Sequence, residues 1–303
     1  MSDPRVAVVG AGRMGAAMAA RLRRCGADVV VQNRTRSKAA TVAAATGATV
    51  AETPREAAAG ADVVLVSLAD DAACAEAYGG EDGIVAGLSA SSVVADTSTV
   101  GPWTSRRLGA LVGKRDAGML DAPVSGSVPV VERGELTVMV GGAADDLDRA
   151  RPVLDLLAGR IVHVGPTGAG ATMKLAVNSV VHALNQALAE ALVLAERSGV
   201  DRRTAYGIFA ASVVGGPFVQ YKRAAFEDPD GTSVAFSLDL VAKDLDLVLE
   251  LASHVGLTMR QAEVNRAAVV AAVEAGLGER DMSALAGLLR SMPGQREDVP
   301  NGS

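Results

Sequence analysis

The chain is poor in aromatic residues, cysteine, histidine and lysine. One Trp, three Tyr and four Phe make up 3% of its 303 residues. That scarcity leaves no row of rings on which the bases of a nucleic acid would stack. Two cysteines, Cys25 and Cys74, are too few for a disulfide framework or a cysteine metal cluster, and they fit a reducing compartment. The three histidines, His163, His182 and His254, share no ligand-like spacing with one another or with the cysteines, so no metal site is expected. Positive charge is in deficit as well: 29 Lys and Arg face 35 Asp and Glu, a net charge of −6. A nucleic-acid groove or an anionic membrane surface needs the opposite balance. Among the basic residues lysine is rare, with five (Lys38, Lys114, Lys174, Lys222, Lys243) against 24 Arg.

Targeting and spanning segments are missing too. The start, MSDPRVAVVG, carries Asp3 and a short apolar run that breaks at glycine, which fits neither a signal peptide nor a span. The most apolar long stretch, 175–195, is interrupted by Asn178, His182, Asn185, Gln186 and Glu190, more polar groups than a membrane helix carries. A soluble, cytoplasmic protein is expected. Apolar sequence is abundant at 49%, ample for the core of two ordinary domains.

Two patterns divide the chain. In the first half, short β-branched runs at 5–9, 28–32, 62–68, 93–96, 136–140 and 160–164 alternate with helical sequence. That alternation predicts βαβ units and a parallel, doubly wound sheet. The segment Gly165-Pro166-Thr167-Gly168-Ala169-Gly170 follows, and after it the periodicity is helical throughout. Helices are expected over 172–198, 202–211, 217–226, 236–255, 259–275 and 282–290, with a frayed polar tail from Ser291. The domain boundaries drawn on this basis are 1–166 and 167–303.

Gly10-Ala11-Gly12-Arg13-Met14-Gly15 is G-x-G-x-x-G, placed after the first strand and opening the first helix. In that context the glycines let the backbone turn tightly and approach a pyrophosphate, whose charge meets free N–H groups at the helix start. A dinucleotide site is expected. Its second strand ends in Gln32-Asn33-Arg34-Thr35-Arg36-Ser37-Lys38, without the carboxylate that would accept NAD ribose hydroxyls. Arg34 suits a 2′-phosphate, and Asn33, Thr35 and Arg36 offer further donors, so NADP is expected over NAD.

Lys174 stands four residues beyond the glycine segment, in Thr172-Met173-Lys174-Leu175-Ala176-Val177-Asn178. On a helix Lys174 and Asn178 share a face, with His182 at its edge and Asn185 returning near it. An apolar setting favours the neutral amine and suits proton transfer. Arg, which keeps its proton, would not serve there. The segment Asp121-Ala122-Pro123-Val124-Ser125-Gly126-Ser127 reads either as an ordinary turn or as a loop whose N–H groups and hydroxyls hold a carboxylate. No G-x-S-x-G elbow surrounds Ser98 or Ser125, so a hydrolase is not supported.

Four blocks together resemble the β-hydroxyacid dehydrogenases, a family that includes 3-hydroxyisobutyrate dehydrogenase and the glyoxylate/succinic semialdehyde and tartronate semialdehyde reductases. They are Gly10 to Gly15; Asp121 to Ser127 followed by Gly134-Glu135-Leu136-Thr137; Gly168, Gly170, Lys174 and Asn178 of G-x-G-x-x-x-K-x-x-N-N; and Lys243-Asp244-Leu245. The resemblance implies a Rossmann domain joined by a long helix to an all-helical domain, in a homodimer or homotetramer. It implies NADP(H)-linked interconversion of a small carboxylate-bearing β-hydroxyacid and its semialdehyde. Lys174 would be the general acid and base, with Asn178 holding the substrate beside it. Ser125, Gly126 and Ser127 would bind the carboxylate, and Leu68, Thr99 and Lys243 would contact the cofactor. The chain departs from the family at Ser127, at Val128-Pro129-Val130-Val131 and at Val177, all in the implied substrate pocket. Two other possibilities are an imine reductase of the same superfamily, which usually carries Asp or Tyr in place of Lys174, and a non-catalytic NADP-binding module.

Overall fold

A computed structural model describes residues 4–292; most of the tail expected to fray lies outside the described residues. Contacts divide the chain into two compact units, Met1–Ala176 and Val177–Ser303. The boundary drawn from sequence after residue 166 falls just before the long helix Ala169–Arg197, whereas the contact division falls inside it. The first turns of that helix are hydrogen-bonded to Asp121 of the sheet, which assigns them to the first unit.

The first unit carries one sheet of nine strands: β1 (Arg5–Val9), β2 (Asp28–Gln32), β3 (Thr49–Val50), β4 (Val63–Val66), β5 (Val93–Asp96), β6 (Gly118–Asp121), β7 (Val124–Ser125), β8 (Leu136–Gly142) and β9 (Ala158–Gly165). β1 pairs in parallel with both β2 and β4, and β5 and β6 continue outward, giving the order 3-2-1-4-5-6 of a Rossmann sheet. Successive side chains of β1 face opposite ways. Val6 and Val8 join Met18, Leu22 and Leu120 in one core, while Ala7 and Val9 join Tyr78, Ile84 and Leu108 in another.

The sheet is not parallel throughout, contrary to expectation. β8 runs antiparallel to β6 and β7, and β9 runs parallel to β8 on its other edge. A parallel crossover needs a dozen or more residues, usually a helix that returns along the sheet. Between β7 and β8 the only helix is the six-residue Val128–Arg133, too short for that return.

The segments that follow β1, β2, β4, β5 and β6 leave the same end of the sheet and bring the Gly10, Asn33, Leu68, Ser98 and Asp121 segments there. The second unit is helical. Its helices Arg202–Ala211, Pro217–Glu227, Leu238–His254 and Arg260–Ala272 lie within a residue or a few of the expected spans. The helix expected over 259–275 widens at Val273–Leu277, where Gly276 takes φ +82°. Tyr206, Val219, Phe226, Val241 and Leu245 fill the core of this unit. No helix among the described residues is long and apolar enough to cross a membrane.

Candidate active site

The three glycines of the first loop have different reasons. Gly10 has φ +102°, and a Cβ there would strike the carbonyl oxygen of Ser67; a Cβ on Gly15 would strike the carbonyl oxygen of Gly10. Both are required by the chain's own packing. Gly12 is not. It caps the helix Arg13–Arg24 with φ −72°, and a Cβ would meet nothing within 4 Å. The helix has no side-chain cap and no acid in its first turn. The open space beside Gly12, at uncapped N–H groups, fits the pyrophosphate of a dinucleotide. Arg13 is exposed, while Met14 packs on the core under the loop.

Asn33 ties this loop to the end of β2. Its Oδ1 accepts the Ala11 N–H at 2.9 Å, and its Nδ2 donates to the Thr35 carbonyl at 3.0 Å. Arg36, expected as a further donor, is engaged with Glu52, Nε lying 2.7 and 2.9 Å from the two carboxylate oxygens. Arg34 is different: its side chain is 82% exposed, with Glu76 at 3.4 Å. Thr35 is exposed beside it. Gln32, where a ribose-binding acid would be sought, is buried.

Two buried carboxylates organise the remaining loops of this unit. Asp96 accepts the Ser98 N–H at 2.9 Å through Oδ1 and the Tyr78 hydroxyl at 2.9 Å through Oδ2. Ser98 Oγ in turn accepts the Leu68 N–H at 2.9 Å, so one acid fixes the Leu68 and Ser98-Thr99 segments together. Asp121 faces Asp96 across the strand pair and accepts the N–H groups of Gly168 and Ala171, both at 2.8 Å. It caps the long helix from outside. Burial pushes both carboxyls up from their ordinary range, although these hydrogen bonds oppose the shift. Gly170 permits the close approach, since a Cβ there would meet the backbone oxygen of Asp121.

That cap sets Lys174 against the 121–127 loop. Its Nζ donates to the Val124 carbonyl at 2.9 Å, and the side chain is half-buried. Ser125 and Ser127 are half-buried and Gly126 is exposed with φ +143°, next to the lysine's acceptor in sequence. Val128 and Val130 turn back onto the sheet core. Thr99 is half-buried just beyond Ser98.

In the second unit Asn178 is 5% exposed, and its Nδ2 lies 2.5 Å from Asp244 Oδ2. Lys243 Nζ is 2.9 Å from the other oxygen, Oδ1, and His182 Nε2 is 3.6 Å from Oδ2. Burial alone would raise the Asp244 carboxyl; His182 and Lys243 outweigh it and hold the group below its ordinary range. The sequence offered Lys243 and Asn178 as separate candidates. It gave no signal that Asp244 joins them, nor that Asp121 caps a helix 47 residues on.

Residues 5–165 match the family model described as the NAD binding domain of 6-phosphogluconate dehydrogenase. Residues 168–289 match that of the NAD-binding domain of NADP-dependent 3-hydroxyisobutyrate dehydrogenase. The chain is 33% identical to an NAD-dependent L-serine dehydrogenase of Pseudomonas aeruginosa, over 96% of this chain and 99% of that one. It is 30% identical to a 2-(hydroxymethyl)glutarate dehydrogenase of Eubacterium barkeri, over 96% of each. Among solved structures it resembles Mycobacterium tuberculosis 3-hydroxyisobutyrate dehydrogenase with L-serine, with TM-score 0.81 and 32% identity over 95% of this chain and 100% of that one. A 3-hydroxyisobutyrate dehydrogenase from Salmonella typhimurium gives TM-score 0.87 at 27% identity, covering 94% and 100%. The glycine loop, the capped lysine helix and these matches over nearly the whole chain place it in the β-hydroxyacid dehydrogenase family of NAD(P)-dependent oxidoreductases.

Proposed function

We propose that this chain is an NADP(H)-dependent oxidoreductase that interconverts a small β-hydroxyacid and its semialdehyde, with Lys174 as general acid and base. The observation that carries this is the hydrogen bond from Lys174 Nζ to the Val124 carbonyl, which holds the amine at the loop suited to a substrate carboxylate. The ammonium carries three N–H donors, of which Val124 accepts one. In reduction Lys174 gives a proton to the aldehyde oxygen; in oxidation the amine takes the hydroxyl proton. The bound nicotinamide supplies or accepts the hydride. The Ser125 hydroxyl and the Gly126 and Ser127 N–H groups hold the carboxylate, and Asn178 steadies the substrate beside the reacting oxygen.

Gly10, Ala11, Gly12, Arg13, Met14 and Gly15 would hold the pyrophosphate. Leu68, Thr99 and Lys243 would meet the nicotinamide end, and Asn33, Arg34 and Thr35 the adenosine end. The exposed Arg34 guanidinium and the lack of a carboxylate at Gln32 favour NADP over NAD. In this reading residues 1–166 bind the cofactor, and 167–303 serve substrate and a second copy of the chain in a cytoplasmic homodimer or homotetramer.

The test is oxidation of NADPH, repeated with NADH, over glyoxylate, succinic semialdehyde, methylmalonate semialdehyde and tartronate semialdehyde. Turnover of at least one with a preference for NADPH is expected. Reduction of a cyclic imine but of no carboxylate-bearing aldehyde would overturn the assignment. Lys174→Ala should cut turnover by about 10²- to 10⁴-fold with NADPH affinity kept; a loss of only a few-fold would remove Lys174 from the proton transfer.

A further inference from the structure

His182 stands one helical turn beyond Asn178 and takes no part in the chemistry above. It is 3% exposed, and neither ring nitrogen has a hydrogen-bond partner among the described residues. Burying two bare ring nitrogens is costly. Nε2 is nonetheless aimed at Asp244 Oδ2 from 3.6 Å, the same oxygen that takes Asn178 Nδ2 at 2.5 Å. Phe236 lies against the imidazole, ring centroids 5.9 Å apart.

We propose that His182 is a positioning residue that controls Asn178 through Asp244, so that protonation of the imidazole weakens substrate binding. The proposal rests on the reading of Asn178 as a substrate-holding residue. A neutral imidazole leaves Asp244 Oδ2 to Asn178. An imidazolium makes the stronger, charge-assisted hydrogen bond and draws Oδ2 to itself. Asn178 then loses the anchor that orients its amide.

The surrounding charges set the direction of this effect. On the helix Leu238–His254, Lys243 already neutralises Asp244 from Oδ1. A second cation must therefore compete for Oδ2. Beyond Phe236, Asp281 accepts the Phe236 N–H at 3.2 Å, but both of its oxygens are held by Lys222 at 2.8 Å. Further along the long helix Gln186 donates to Glu190 at 2.7 Å, so that carboxylate has its own partner.

The experiment measures KM and kcat for the semialdehyde turned over fastest in the panel above, from about pH 5 to about pH 9. Wild type, His182→Phe and His182→Gln are compared. In wild type KM should rise about tenfold on acidification, the loss of one hydrogen bond's net contribution. In His182→Phe and His182→Gln that rise should vanish, with the kcat profile following wild type. A KM profile unchanged in His182→Phe overturns the proposal. A second readout needs no substrate: the ¹⁵N side-chain amide signal of Asn178, assigned by its loss in Asn178→Ser. It should move with pH in wild type and stand still in His182→Gln. An Asn178 amide that ignores pH in wild type overturns the proposal, even if the chain turns over every aldehyde in the panel. Failure of the proposed activity would show separately, as absence of turnover in wild type.

Discussion

In the first unit the buried carboxylates Asp96 and Asp121 hold backbone N–H groups of the loops beside them. The second unit is different. Among the described residues, five buried side-chain nitrogen and oxygen atoms without a hydrogen bond lie here, on His182, Asn185, Gln186 and Asn265, against Arg23 Nε in the first unit. Large exposed apolar side chains follow the same division. Among the described residues Met173 is the one in the first unit, against Val180, Leu194, Ile208, Val213, Tyr221 and others in the second. A sheet assigns each backbone group a partner and each side chain a face, so a cofactor fold can complete itself. A helical unit fixes its polar interior only through side chains that arrive from distant sequence. Its open apolar surface also supports the homo-oligomer proposed above.

The sharpest way to break this comparison is to remove a fully buried charge pair of the helical unit. Lys222 is fully buried and its Nζ lies 2.8 Å from both oxygens of Asp281. Asp281 also accepts the N–H groups of Ala235, Phe236 and Ser283, so it pins the turn before the helix Leu238–His254. Lys222→Met leaves that carboxylate buried without its counter-charge, a change that costs about 3–5 kcal/mol. Hydrogen exchange should show protection lost across the second unit while β1, β4 and β5 keep theirs. Equal loss in both units would mean that they do not differ as argued.

A smaller effect separates folding from binding within the first unit. Gly12→Asp places a favourable N-cap at the helix Arg13–Arg24, where no atom obstructs it, so the melting temperature should hold or rise slightly. The same carboxylate would occupy the space suited to a pyrophosphate. NADPH affinity should fall at least about tenfold, or about 1.4 kcal/mol. Unchanged affinity would move the dinucleotide away from this loop.

The parts legible from sequence are those fixed by local pattern. Strands 5–9, 28–32 and 93–96 are buried β-branched runs and were bounded to the residue; so was the helix Arg202–Ala211, which Asp201 caps. β6 was missed because Gly118-Met119-Leu120-Asp121 has no β-branched residue, and only its neighbours make it a strand. The antiparallel return of β8 was missed because a six-residue helix and a crossover helix are hard to tell apart by composition. At the site, the i to i+4 spacing of Lys174 and Asn178 lies within one helix and was readable. Asp121, which caps their helix, and Asp244, which accepts from Asn178, come from a distant strand and a distant helix. Lys222 shows the same limit, for in Tyr221-Lys222-Arg223 nothing marks it as more buried than Arg223, and its partner lies 59 residues away.

The mildest test uses acid, and its sign follows from the carboxylates. Burial raises Asp281, but Lys222 and the backbone N–H groups outweigh it, and its folded-state pKa lies below the ordinary value; Asp244 is lowered likewise by His182 and Lys243. A lowered group contributes stability that is complete above the unfolded pKa, about 3.9 for Asp, and is lost as pH falls through the folded value. Asp96 and Asp121 are raised by burial, so their contribution is complete below the unfolded pKa and is lost as pH rises through the folded one. Acidification below about pH 4 therefore removes stability from the second unit and none, through these two acids, from the first. Trp103, the single tryptophan, reports on the first unit from the helix Pro102–Gly113. Its fluorescence should change at lower pH than the far-ultraviolet helix signal, which draws heavily on the second unit. Coincident transitions would show that the two units unfold as one and that the division in polar satisfaction does not extend to stability.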